Sequence, residues 1–199
     1  MRAGHGVEMV CRRTTGEMTM LHLCVLGAVI LAGAAQTSAA SPQAAADVVV
    51  IDGKKDPSQI PEWLVWQQGF TILAGWRGKD SGFNHELREA LSKEEFDVLE
   101  REALAQGHRA EQAAKEAEPL RAQYDTRDPN DQRLAATLDE KMYEVNLKYR
   151  RAILEARNRV LEALRPESQS VVLSWIGDIR SDIVSRVPKG ELARWRAPE

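Results

Sequence analysis

The sequence predicts an all-α domain: a long antiparallel helical hairpin with one helix before it and one after it, four helices in total, preceded by a short extended arm. Three observations predict this fold. Mostly apolar side chains recur at three- and four-residue steps over two long stretches, Phe96 to Tyr124 and Leu134 to Leu164, the spacing of one face of a helix. The turn-forming segment Tyr124 to Asn130 (YDTRDPN) separates them, and a short link between two long amphipathic helices makes them antiparallel neighbours. A helix-start signature, Leu91-Ser92-Lys93-Glu94-Glu95-Phe96, stands at the head of the first stretch. There Ser92 and Glu95 satisfy each other's backbone amides while Leu91 staples onto Phe96.

Residues 1–40 have the order of a secretory signal peptide. Arg12 and Arg13 precede an apolar run within Met18–Ala35, and small residues follow up to Ala40. The run is shorter than the ~20 apolar residues of a membrane span, so cleavage after Ala40 is expected, with Ala39 and Ala46 as neighbouring alternatives. The Arg pair is followed by Thr14-Thr15-Gly16 rather than by the apolar residue of twin-arginine signals, which favours the general secretion route. The expected compartment is therefore the periplasm or the extracellular space, with no membrane span left after cleavage.

Removing the leader also removes both cysteines, Cys11 and Cys24. The mature chain then has no disulfide, thiol nucleophile or cysteine-ligated metal, and its stability must come from packing. Its 199-residue precursor carries 27 basic and 30 acidic residues, a formal net charge of −3. The two signs are interspersed, unlike the clustered basic excess of a nucleic-acid or anionic-membrane binder.

Residues 41–57 form the expected arm. Val48 to Ile51 is a β-branched run closed by Asp52-Gly53. No second strand is evident, so this segment is expected to lie extended on the helices or to pair with another copy of the chain. The helical domain is expected over residues 58–187. Ser58 is the predicted N-cap of its first helix, with Pro61 in the first turn. Trp63, Trp66, Phe70 and Leu73 share one face of that helix. An aromatic stripe at this spacing reads first as core and second as a partner-binding platform. Gly75, Gly78 and Gly82 end the helix.

The first hairpin helix continues from Phe96 through Leu99, Ala103, Gln106, Ala110, Ala113, Ala117 and Leu120 to Tyr124. This thin, alanine-rich seam permits close approach of a neighbouring helix, and Pro119 is expected to kink or interrupt it. The second hairpin helix is expected over residues 130–165, capped by Asp128 with Pro129 at its first position. Leu134, Leu138, Met142, Val145, Tyr149, Ile153, Ala156, Val160 and Leu164 line one side, and dense charge covers the others. Pro166 opens the last helix, whose apolar face is Val172, Trp175, Ile176, Ile179 and Ile183. Residues 188–199 are expected to be a tail.

No nucleophile elbow, metalloprotease helix, phosphate loop or dinucleotide fingerprint occurs in the chain, so a non-enzymatic protein without a cofactor is expected. The metal-site candidates are the histidine–carboxylate pair His85 and Glu89, four residues apart, together with His108. A solvated histidine in a glycine-flanked loop is the simpler reading of His85. The partner-binding candidates are Trp63, Trp66, Phe70 and Leu73.

Two segments carry a family resemblance. Leu91-Ser92-Lys93-Glu94-Glu95 and Leu164-Arg165-Pro166-Glu167-Ser168-Gln169 resemble the repeated L-T-x-x-Q of the periplasmic Spy/CpxP group. In the first copy Ser replaces Thr and Glu replaces Gln; in the second Arg and Ser stand at those places. The resemblance covers Leu91 to about Val187. It implies a small helical envelope protein that acts through protein contacts or self-association, as an ATP-independent chaperone or stress regulator, or as a metal sensor. A structural accessory subunit that lends the Val48–Ile51 arm to a partner's sheet is the third expectation.

Overall fold

The computed structural model describes residues 8–11, 48–75 and 82–198. The apolar run of the leader, the expected cut after Ala40 and Gly78 lie outside these residues. The fold is all-α. Strand β1 (Glu8–Cys11) and strand β2 (Val48–Asp52) lead into α1 (Glu62–Gly75), α2 (Gly82–Ala90), α3 (Lys93–Thr126), α4 (Gln132–Ala163) and α5 (Pro166–Asp182). Strand β3 (Ile183–Pro188) and the short helix α6 (Leu192–Arg196) follow.

Helices α3 and α4 form the expected hairpin, about 51 Å and 48 Å long for 34 and 32 residues at ~1.5 Å per residue. The capping box of α3 is present: the Ser92 hydroxyl accepts from the Glu95 amide and the Glu95 carboxylate accepts from the Ser92 amide at 2.9 Å. Helix α3 runs through Pro119 without interruption. Lys115 and Pro119 are both exposed, so water can serve the carbonyl that the proline leaves without an amide donor. The cap of α4 is Asp131 rather than Asp128, its carboxylate accepting from Leu134 N at 2.9 Å. Asp128 instead closes a local turn onto Asn130 N.

Helix α1 crosses the base of the hairpin and packs on α3, α4 and α5. Three neighbours bury it nearly all round, so Leu64, Val65, Gln67 and Gly69 join Trp63, Trp66, Phe70 and Leu73 inside. Gly69 is where α5 comes close: a Cβ there would stand 2.9 Å from Ile176 Cδ1 and 3.1 Å from the Trp175 ring. Ser58 does not cap this helix. It belongs to a single 3-10 turn (Pro57–Gln59) capped by Asp56, and the first turn of α1 closes on the Pro61 carbonyl.

The expectation of a lone strand is corrected. Val48–Asp52 pairs antiparallel with β3, from Val48 opposite Pro188 to Asp52 opposite Val184. Helix α5 stops at Asp182, and Ile183, Ser185 and Val187 alternate inward while Val184 and Arg186 turn outward, a period of two instead of 3.6. The sheet order is β1-β3-β2, with β1 antiparallel to β3 from Glu8 opposite Arg186 to Cys11 opposite Ile183. Part of the segment read as a leader thus lies along β3. Residues 48–52 of the expected arm are thus engaged with their own chain, and Val50 is the exposed side chain of this strand, at 60%.

Two further corrections concern helices that sequence periodicity missed. Gly82–Ala90, read as loop, is helix α2, anchored by the buried Leu87. Residues 188–199 contain α6, and Trp195 is buried in the core cluster. Six α-helices rather than four are therefore present among the described residues.

Candidate functional surface

Three polar rungs hold the hairpin to its base. At the lowest, the buried Glu95 carboxylate accepts five hydrogen bonds: from Ser92 N, from Arg165 N, Nε and a terminal guanidinium nitrogen, and from Ser168 Oγ at 3.0 Å. One side chain therefore caps α3, satisfies the N-cap residue of α5 and joins the two leucine-led segments. Equivalent positions of those segments meet, Glu95 on Ser168, and their leading residues Leu91 and Leu164 enter the same core. Gln169 donates back to the Leu161 and Leu164 carbonyls at the end of α4.

The Arg165 guanidinium, followed by the Arg165 and Ser92 amides, holds the Glu95 carboxyl well below the usual carboxylate range. A carboxyl depressed on folding adds stability that is complete above its unfolded pKa near 4.5 and is lost as pH falls towards the folded value. Glu95→Gln, a mimic of the protonated state, is expected to be less stable than wild type at pH 7. The two are expected to converge as pH falls from 5 to 2, measured as urea midpoints. Parallel curves would contradict this role.

The second rung is Glu102, buried on α3 and gripped from α4 by Arg159 through two bonds of 3.0 Å, with Arg109 of its own helix as the other partner. Arg159 is the main reason its carboxyl is held low. The third is a hydrogen bond from Gln106 Nε2 to the Tyr149 hydroxyl. Burial pushes that phenol up to about 12, so it remains neutral.

A fourth polar group fixes the carboxy-terminal segment. Arg150 on α4 is 6% exposed, and its guanidinium lies 4.2 Å from the centre of the Trp63 ring. It donates to the carbonyls of Arg194 at 2.5 Å and Ala197 at 2.9 Å, while Trp63 Nε1 donates to the Trp195 carbonyl at 3.1 Å. Burial draws the Arg150 pKa down to about 10, so it is still charged at neutral pH. Its desolvation is offset by the carbonyl dipoles and by the ring face.

Beyond these rungs the hairpin continues as a two-helix arm. The continuous core reaches Ala113 on α3 and Val145 on α4. Further out, only Ala117, Ala135 and Leu138 are buried between the two helices. Leu120, Tyr124 and Met142 are half-buried, and Leu134 is exposed at 36%. The base of this arm is pinned by Lys148 to Glu116 at 2.8 Å and by Arg194 of α6, which pairs with Glu140 and lies over Tyr143. Its tip is closed by Arg127 stacked 3.6 Å over the Tyr124 ring. An apolar stripe wider than the contact with a single partner helix leaves its flanks in water, and those flanks are the candidate surface.

The sequence-predicted residues fall elsewhere. Trp63, Trp66, Phe70 and Leu73 are buried between α1 and the hairpin base, so they present no face to a partner in the folded chain. Their burial follows from three helices meeting α1 rather than one. His85 and Glu89 are both exposed on α2, with 3.2 Å between His85 Nε2 and Glu89 Oε1, and His108 is exposed on α3. His85 thus sits on a helix rather than in a loop. Among the described residues, no three His, Cys, Asp or Glu side chains are grouped to hold a metal ion, and no helix is long and apolar enough to cross a membrane.

Comparison of the chain with known protein families, curated proteins and solved structures gives no match.

Proposed function

We propose that the mature chain is an exported, non-enzymatic protein that works through protein contacts made by the hairpin arm, holding partly unfolded polypeptides in the cell envelope. The observation that carries this reading is the arm itself. It is a pair of helices extending past the core, with Leu120, Tyr124, Leu134 and Met142 only partly covered and with Glu118, Arg133, Asp139 and Lys141 around them. Small apolar patches bordered by both signs of charge suit weak, repeated contact with exposed apolar segments of other chains. The likeness of Leu91–Glu95 and Leu164–Ser168 to the Spy/CpxP repeat supports it, as does the charge-then-apolar order of residues 1–40.

The test is suppression of client aggregation by the purified exported protein at micromolar concentration. Wild type is expected to slow light scattering by a chemically unfolded client. The variant carrying Leu120→Gln and Leu134→Gln is expected to lose most of that effect with an unchanged far-UV spectrum. Wild type without effect, or a fully active variant, would overturn the reading.

A further inference from the structure

Ser185 occupies the middle of β3, is 0% exposed, and its hydroxyl makes no hydrogen bond. In the ladder it stands opposite Ile51 of β2 on one side and Met9 of β1 on the other. The Ile51 side chain offers it no acceptor, and a buried hydroxyl without a partner is costly. The strand on the Met9 side belongs to the segment read as a leader. Cleavage after Ala40 would remove Glu8–Cys11 and leave the edge of β3 that now pairs through Ile183–Arg186 with unpaired amides and carbonyls, a template for another strand.

We propose that, once the leader is removed, this edge of β3 pairs antiparallel with the same edge of a second copy about a two-fold axis at Ser185. The proposal rests on the export reading of residues 1–40. The edge already accepts an antiparallel strand, β1, in this structure. Directly opposed residues of an antiparallel pair point to the same face, so inward-facing residues of one copy must meet inward-facing residues of the other. Centring on Ser185 meets that condition. Ile183 falls opposite Val187 of the second copy, Val184 opposite Arg186, and Ser185 opposite Ser185.

Two features select this register over its neighbours. It alone sets the two buried hydroxyls face to face, where one donates and the other accepts. It also ends the ladder at Val187, before Pro188, which has no amide to donate. The product is a continuous four-stranded sheet, β2-β3-β3-β2, with an isologous interface. In the precursor, β1 occupies the edge, so pairing waits for processing.

The full chain is expressed with export, and the processed protein is recovered from the envelope and the unprocessed protein from the cytoplasm. Intact mass identifies each amino terminus and light scattering gives each solution mass. The processed form is expected at twice its chain mass and the unprocessed form at once its chain mass. In processed Ser185→Cys, whose only cysteine is the introduced one, a reductant-sensitive dimer is expected on a denaturing gel, with the far-UV spectrum of wild type. A leader found intact on the exported protein would overturn the export reading and the pairing together. A processed but monomeric protein would overturn the pairing alone. A processed dimer in which Ser185→Cys forms no cross-link would overturn the Ser185 register.

Discussion

Gly53→Ala is expected to destabilise the protein by about 3 kcal/mol or more, since overpacking usually costs 1–3 kcal/mol and exceeds that where backbone must move. Gly53 follows β2, and its amide donates to the Ile183 carbonyl at 2.9 Å. A Cβ on residue 53 would lie 2.0 Å from the Arg180 carbonyl oxygen and 3.2 Å from that of Ile183. Both obstacles are backbone, at the point where α5 gives way to β3, so no side-chain rotation relieves the clash. Relief requires β2 to move off the end of α5, and the strand pairing from Val48 to Asp52 would move with it. Urea unfolding of the variant should show the loss, and hydrogen exchange should place it first at residues 48–53 and 183–188. A midpoint within experimental error of wild type would contradict the close approach.

Arg150→Met is expected to cost about 2 kcal/mol, the order of magnitude for leaving buried acceptors unpaired, and to release the carboxy-terminal segment. Methionine keeps the length and apolar stem of arginine and removes a buried charge, which by itself would favour the variant. Against that, the carbonyls of Arg194 and Ala197 lose their donor, and Trp63 loses the cation over its ring. The second effect is expected to win. Trp195 should leave the core while the hairpin stays folded, seen as a red-shifted tryptophan emission and faster carboxypeptidase digestion from the end of the chain. Unchanged digestion with equal stability would show that α6 is held by Trp195 burial alone.

The hairpin, the capping box at Ser92, the proline at the first position of α5 and the glycine end of α1 were legible in the sequence because each depends on contacts within a few residues. What was not legible depends on distant partners. Ile183 lies four residues after Ile179 and so continues a helical spacing; only the strand at 48–52, more than a hundred residues earlier, makes its segment a strand. Trp195 stands almost alone in a charged tail, and its burial is created by Arg150 and Trp63. The arm was hidden for a related reason. Its three-and-four spacing is the same along the whole hairpin, and nothing local records where α1 and α5 cease to cover it. The Glu95 joint was half visible: its capping box could be read, whereas its bonds to Arg165 and Ser168 join segments about seventy residues apart.

Whether the hairpin arm is the working surface is decided by placing a photo-crosslinking amino acid at single positions of the protein expressed in living cells. Leu120 and Leu134 report on the arm, and the exposed Glu86 and Leu173 report on the body. Adducts with other polypeptides are expected from the two arm positions, increased when envelope proteins are unfolded by heat, and few from the body. Adducts that arise equally from Glu86 and Leu173, or none from Leu120 and Leu134, would contradict it.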